Sequence, residues 1–401
     1  MLSERFDLII VGSGLAGSAL ACALADLDLR IALLEARPLS LQTPPLRDTI
    51  DGFDLRVSAI TPASQQWLEQ LGAWQRIARL SPYRHMTVWD ANGVGSIEFD
   101  ASEVNAAQLG HIVENGLLQQ ALLQQLSTSR AIQLIAPATV ELFARDGEQI
   151  ALELASGRRL TASLLIGADG AQSSVREWAG IGLREWDYNH RGIVATIAAE
   201  KPHGATARQI FREDGPLALL PLRSGDGGEH LCSIVWSCEP GRAGELLALD
   251  DSAFAAALTQ ASEQVLGRIT AVSPRQAFPL RARHARSYTA PGIALIGDAA
   301  HTIHPLAGLG INLGFRDARA LAGEIRRAVA RQLPLSEPSL LARYQRARIG
   351  DNWLMLGAME GFKRLFGTQA ALPVLLRNRG LDLVNRSGAL KRAFINHAIG
   401  G

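Results

Sequence analysis

Apolar and polar positions change their period several times along the chain. Leu8 to Val11 is a short unbroken apolar run, the pattern of a strand buried on both faces. Ser18 to Ala25 is rich in Ala and Leu and reads as a helix; Arg30 to Leu34 reads as a second strand, ending at Glu35. Leu160 to Ile166 and Ile293 to Ile296 are further apolar strands, and a helix runs from Gly310 and Asn312 through Asp317 and Leu321. Two regions break this strand–helix rhythm. From Tyr83 to Phe99 the residues alternate in strand fashion, as in His85 to Trp89. From about Trp186 to Leu280 the chain reads as strands joined by turns: Ile193 to Ala198, Arg208 to Phe211, Ala218 to Pro221 and Leu231 to Trp236, with Gly225 to Gly228 as a hairpin or loop.

Glycine-rich turns sit at the ends of three of the apolar strands. Gly12-Ser13-Gly14-Leu15-Ala16-Gly17 follows the first strand and opens its helix, and Glu35 stands at the end of the second strand, followed by Ala36 and Arg37. This is the dinucleotide fingerprint in its proper setting. Gly12 permits the tight turn, Gly14 lets a pyrophosphate approach the backbone, and Gly17 lets helix and strand pack closely. The free N–H groups of the helix start favour phosphate, and Glu35 is placed to accept from a ribose hydroxyl. The second turn is Gly167-Ala168-Asp169-Gly170, with Ser173 and Ser174 available to cap the helix that follows. Taken alone it is an ordinary strand–turn–helix corner. The third is Gly297-Asp298-Ala299-Ala300-His301, running on to Pro305, Gly308, Leu309, Gly310, Ile311 and Asn312. A carboxylate at a strand's carboxyl end suits a polyol hydroxyl, and the following helix start suits the electron-rich edge of a flavin. Three such turns spread along one chain suit a single long ligand held at several points. FAD fits that description better than NAD, whose contacts gather in one half of a domain.

Composition narrows the reading. Hydrophobic content of 47% with 20% charged residues is globular, and a net charge of +1 implies no nucleic-acid partner. Cys22, Cys232 and Cys238 form no C-x-x-C pair, so neither a disulfide framework nor a zinc site is indicated, which fits a reducing cytosol. His301 and His304 suggest a metal pair, but Pro305 argues against a shared helical face, and no metal is expected. The N-terminal run lacks the parts of a signal peptide, and no stretch reaches about 18 apolar residues, so a cytoplasmic location is expected.

With these motifs in hand, the chain resembles the flavin-dependent aromatic hydroxylases of class A, which share the p-hydroxybenzoate hydroxylase fold. More narrowly, it resembles the hydroxylases of ubiquinone biosynthesis. The resemblance rests on Gly12 to Gly17 with Glu35, on Asp54 to Ile60, on Leu109 to Asn115, on Gly167 to Gly170 and on Gly297 to Asp317. It implies an α/β fold: a Rossmann-like FAD-binding domain of three layers (ββα) interleaved with an antiparallel-sheet substrate domain. The FAD-binding parts are 1–80, 105–183 and 285–345, the substrate parts are 81–104 and 184–284, and a helical, basic amphipathic section covers 346–401.

The resemblance also assigns roles. Gly12, Gly14 and Gly17 would hold the pyrophosphate and Glu35 the ribose, with Arg56 near the flavin and the active-site entrance. Asn115 stands where many class A enzymes carry an arginine, Val140 would lie near the adenine, Asp169 would meet both FAD and NAD(P)H, and Asp298 would hold the ribityl chain. One departure stands out, since the family has Gly-Gln-Gly where this chain has Gly308-Leu309-Gly310. If that loop gives only backbone N–H groups, flavin binding is unaffected; if the glutamine side chain orients flavin or substrate, Leu309 weakens the activity.

The implied reaction is ring hydroxylation of a polyprenyl phenol or quinol through a flavin C4a-hydroperoxide, with NAD(P)H and O₂ as co-substrates. The cofactor carries that chemistry, and no catalytic base is assigned. His190, Tyr188 and Arg223 are candidates by location only. Trp89, Phe211 and Trp236 read as core rather than as substrate contacts. Two other readings stay open: a flavin-dependent reductase of isoprenoid double bonds, and a weakly active flavoprotein scaffold in a ubiquinone-biosynthesis complex. The last section, Gly361 to Gly401, carries seven Lys and Arg against Asp382 alone, a local +6, interleaved with Phe and Leu. It is either a helical cap with a solvated basic face or a segment that lies on the inner-membrane surface, where a polyprenyl substrate resides.

Overall fold

A computed structural model describes residues 3–91, 95–147, 149–302 and 310–367. Its helices are α1 (Leu15–Leu24), α2 (Pro62–Gln70), α3 (Asn115–Leu126), α4 (Ser174–Trp178), α5 (Pro240–Ala248), α6 (Asp251–Ala261), α7 (Gly310–Ala330) and α8 (Pro338–Gly367).

The centre is a six-stranded sheet in the order Thr289–Ala290, Ile293–Leu295, Leu164–Gly167, Leu8–Val11, Ile31–Leu34, Ile132–Ile135. All its pairings are parallel except the edge pair Thr289–Ala290 with Ile293–Leu295. Its inner strands are apolar without alternation because both faces are covered. Helix α1 packs against α3 and α7. A four-stranded sheet (Glu4–Arg5, Arg159–Ala162, Gln149–Leu154, Val140–Asp146) contributes Ile150, Leu152 and Leu160 to the same core. The result is the expected three-layer ββα arrangement.

The apolar run Leu160 to Ile166 is not one strand. It breaks at Ser163, with Arg159–Ala162 in the four-stranded sheet and Leu164–Gly167 in the parallel one. The N-terminal segment crosses beside it: Glu4 lies opposite Leu160, and Leu8 lies opposite Leu164. The two segments thus change sheets together in one register, fastened where Phe6 N donates to Thr161 O and Ser163 Oγ to Asp7 O. Both halves are buried, so hydrophobic periodicity does not reveal the crossing.

The second large sheet has nine strands, the longest being Leu183–Ala199. The expectation of an antiparallel sheet needs one correction, because Thr206–Phe211 lies parallel to His85–Asp90. A second correction concerns 240–261, read as part of a strand-and-turn region. It forms α5 and α6, started by Pro240 in the first turn and by Asp250, whose side chain accepts from Ala253 N at 2.7 Å. These helices cover one face of the sheet, and Phe254 packs on fully buried Trp236 with ring centroids 6.1 Å apart. Trp236 is therefore core. A three-stranded sheet (Val57–Ile60, Gly110–Glu114, Ser81–Tyr83) lies alongside, and its apolar residues pack with those of the nine-stranded sheet.

Candidate functional site: a cleft built from three glycine turns

The three turns meet at the carboxyl ends of adjacent strands. Gly12 has φ +101°, and a Cβ there would lie 2.4 Å from Ala168 O, so the first turn is pressed against the second. A Cβ on Gly17 would lie 2.0 Å from Gly12 O, which only glycine permits. Gly14 differs: nothing lies within 4 Å of where its Cβ would be, and no side chain caps α1 there. Open space at uncapped helix N–H groups is the cradle a pyrophosphate requires. Leu15 and Ala16 form the first turn of α1.

Glu35 is fastened to this loop. Its Oε2 accepts from Ser13 N at 3.1 Å and Ser13 Oγ at 2.9 Å, while Oε1 accepts from Arg37 N at 3.1 Å. Ala36 and Arg37 are exposed beside it. Val140 opens its strand two residues after Ala138, whose N donates to Glu35 O at 2.7 Å, so the segment carrying the adenine-side candidate is bonded to the ribose-side one although the two are far apart in sequence.

Asp169 points into its own helix start. Its carboxylate accepts from Ser173 Oγ at 2.5 Å and Val175 N at 3.1 Å, while burial pushes its pKa up against those bonds. Gly170 follows with φ +81°. Buried Arg176 donates to Ala171 O and Ala299 O, each at 3.0 Å, and ties the second turn to the third. Sequence reading missed Arg176; its place in the first turn after a Gly-x-Asp-Gly corner was the available signal.

In the third turn Gly297 has φ +59°, and a Cβ there would sit 3.2 Å from Ala16 Cβ. The Asp298 side chain reaches solvent, yet protein crowds its recess, and this burial raises its pKa against the opposing charges of His301, Arg56 and Arg283. Among the described residues no side chain or N–H is within hydrogen-bonding geometry of its carboxylate. An accessible, crowded and unpartnered acceptor is what a polyol hydroxyl would satisfy.

The structure brings Arg56 and Asn115 together. Asn115 N donates to Arg56 O at 3.0 Å, and Asn115 Oδ1 accepts from Ser58 Oγ at 2.7 Å. Gly310, Ile311 and Asn312 begin α7. Buried Asn312 accepts from Thr61 N at 3.1 Å and donates to Ala59 O at 2.8 Å, linking the start of α7 to the strand that follows Arg56. Pro305, Gly308, Leu309 and His304 lie outside the described residues.

Behind the third turn is a buried polar network that the sequence did not reveal. Asp317 is fully buried and accepts from Gly297 N (3.1 Å), Arg348 Nε (2.8 Å) and Asn352 Nδ2 (3.2 Å), with His301 Nε2 at 2.5 Å. Burial alone would raise its pKa, but the charges of His301 and Arg348 outweigh that and lower it. Asn352 also donates to Tyr288 OH at 3.1 Å, and that hydroxyl bonds His284 Nε2 at 2.9 Å. His301 thus has a structural carboxylate partner. Of the remaining candidates, Tyr188 packs with Leu280, Leu313 and Leu356, His190 Nδ1 bonds Tyr188 O at 2.7 Å, and the Arg223 side chain is exposed.

The family model described as "FAD binding domain" matches residues 5–355. The chain belongs to the FAD-binding-domain family. Within this flavoprotein family, the 3-demethoxyubiquinol 3-hydroxylase of Escherichia coli is 37% identical over 403 residues, covering 100% of both chains. The ubiquinone hydroxylase UbiL of Rhodospirillum rubrum is 36% identical over 395 residues, 98% of this chain and 89% of the relative. The crystal structure of PqsL, a probable FAD-dependent monooxygenase from Pseudomonas aeruginosa, superposes with a TM-score of 0.76 at 21% identity, covering 94% of this chain and 100% of that one, and supports the fold. The open space at Gly14 and the accessible, unpartnered carboxylate of Asp298 fit an FAD cofactor.

Proposed function

We propose that this chain is an FAD-dependent monooxygenase that hydroxylates the aromatic ring of a polyprenyl phenol or quinol in ubiquinone biosynthesis, with NAD(P)H and O₂ as co-substrates. The observation that carries this reading is full-length similarity to the 3-demethoxyubiquinol 3-hydroxylase, combined with a cleft whose polar groups fit FAD. Bound FAD supplies the redox chemistry, accepting reducing equivalents from NAD(P)H and activating O₂.

The chain's own residues bind and orient. Gly12, Gly14 and Gly17 shape the pyrophosphate cradle, and the uncapped N–H groups of Gly14 to Ala16 at the start of α1 are available to it. Glu35 holds the adenosine ribose while it braces Ser13. Asp298 accepts from the ribityl chain. The first turn of α7, from Gly310 to Asn312, offers N–H groups and a positive dipole end to the flavin's pyrimidine edge. Arg56 and Asn115 flank the ring. Asp169 acts through the turn it caps, holding Ala168 against Gly12.

No helix among the described residues is long and apolar enough to cross a membrane. A polyprenyl substrate must then be met at a lipid surface or carried, and the basic, apolar-interleaved stretch 361–401 suits contact with an anionic membrane face. Product analysis tests the reading and the ring position together. The chain is expressed in strains that each lack one ubiquinone-ring hydroxylase, and quinones are extracted. Restored ubiquinone in one strain identifies the carbon; no restoration in any strain contradicts the assignment.

A further inference from the structure

The strand Ile31–Leu34 is joined to Val57–Ile60 by a long connection, 35–56, whose only regular piece is the 3-10 turn Ile50–Gly52. A connection of this length needs fastening if it is to hold a side chain at a site. Arg79 does the fastening. It is buried, and its guanidinium makes four hydrogen bonds: Nε to Glu114 Oε2 at 2.8 Å, Nη2 to Glu114 Oε1 at 3.0 Å, Nη1 to Arg47 O at 3.0 Å and Nη2 to Gly52 O at 2.8 Å. Its plane also lies over Phe53, 3.6 Å from the ring centroid. A planar guanidinium with five donors can hold a carboxylate bidentately and two carbonyls at once, four bonds that the three donors of an ammonium cannot supply.

Glu114 passes the constraint on. Its Oε1 also accepts from Asp54 N at 2.8 Å, and Asp54 in turn accepts from Arg56 N at 3.1 Å and Gly116 N at 2.9 Å. Asn115 N donates to Arg56 O. Every link from Arg79 to the Arg56 backbone is therefore a hydrogen bond through Glu114 and Asp54. The far side of the same connection is fixed to the loop between strands Leu217–Leu222 and Leu231–Cys238, where Asp48 Oδ1 accepts from Gly225 N at 2.6 Å.

We propose that Arg79 and Glu114 are positioning residues for Arg56: their buried ion pair sets where the Arg56 charge stands beside the cofactor. This rests on the reading that Arg56 flanks the flavin, supported by the effect of its charge on Asp298. The side-chain hydrogen bonds of the pair go to Arg47, Gly52 and Asp54 and not to the three glycine turns, so their effect passes through Arg56.

A double-mutant comparison on the full-length holoprotein tests this, using R56A, R79K, E114Q and the R56A/R79K and R56A/E114Q pairs. The readouts are the flavin midpoint potential and the FAD dissociation constant. A cation beside the flavin favours its reduced, negatively charged form. R56A is expected to lower the potential and weaken FAD binding, and R79K and E114Q to shift both in the same direction. Each double variant should match R56A alone, because the clamp has nothing left to position. If R79K fails to fold, E114Q, which keeps the shape of the acceptor, carries the comparison. Additive shifts in the double variants would overturn the clamp while leaving the Arg56 reading standing. A silent R56A would overturn both.

Discussion

Asp317 accepts the backbone N–H of Gly297 across 3.1 Å, and this bond fastens the turn that presents Asp298 to helix α7. The same carboxylate is held by His301 and by Arg348 from α8. Removing its charge with Asp317→Asn takes from the buried Arg348 guanidinium its one fully buried carboxylate, leaving it the exposed Asp351 at 2.8 Å. The unfolding free energy is expected to fall by about 3 kcal/mol or more, and FAD to dissociate faster because the Gly297 turn is loosened. Chemical denaturation with and without FAD measures both effects. An unchanged midpoint would show that the network does not bear on the fold.

The glycines of the first turn separate folding from cofactor binding. Gly12→Ala places a methyl 2.4 Å from Ala168 O at a positive φ, so the apoprotein itself should lose stability. Gly14→Ala meets no protein atom within 4 Å. It should leave the apoprotein melting temperature unchanged and weaken FAD binding by roughly tenfold or more, about 1.4 kcal/mol. Apoprotein melting curves and FAD titrations of the two variants distinguish them. Equal loss of FAD affinity in both, with equal loss of stability, would contradict the cradle.

Asp298 has no hydrogen-bond partner among the described residues, and its charged form is disfavoured by burial. Asp298→Asn should therefore leave the apoprotein as stable or more so. It should lower FAD affinity by roughly tenfold, since a neutral acceptor gives a weaker bond than a carboxylate. FAD titration checks the loss, and thermal melting of the apoprotein checks its sign.

Buried His284 is held neutral. Burial pushes its pKa down to about 4, its Nδ1 bonds Ala285 O at 2.8 Å, and its Nε2 bonds Tyr288 OH. Around it stand His301, Arg184 and Asp317, with the Trp353 ring tilted against it at a centroid distance of 4.3 Å. A folded pKa below the ordinary histidine value means that the unfolded chain takes up the proton first. Stability is thus fully present above about pH 6.5 and is lost as pH falls from there to about 4, by up to about 3 kcal/mol for this group. His111, also lowered to about 4 by burial, adds in the same direction. Denaturation midpoints across this window should fall with pH, and His284→Gln should flatten the slope by about one proton's worth. An unchanged slope would show that His284 does not titrate in this way.

What could be read from the sequence was local. Gly12 to Gly17, Asp169 and Asp298 each stand at a strand end next to a helix start, so a few neighbouring residues reveal both the backbone need and the chemistry. The nine-stranded sheet was legible wherever strands alternate, but α5 and α6 were missed although Pro240 and Asp250 announce them. The sheet crossing at Ser163 was hidden because both sides of it are buried. Arg79 with Glu114, and Asp317 with Arg348 and Asn352, join positions far apart along the chain, and no spacing rule links such partners. These pairs brace the cleft, and only the folded chain brings them together.

The account stands or falls on oxygen insertion. Purified holoprotein is incubated with NAD(P)H, ¹⁸O₂ and a polyprenyl phenol or demethoxy quinol, and the product is weighed by mass spectrometry. One ¹⁸O atom in a new ring hydroxyl is the predicted result. A product reduced in its isoprenoid tail with no label in the ring, or no ring product from either substrate class, would contradict it.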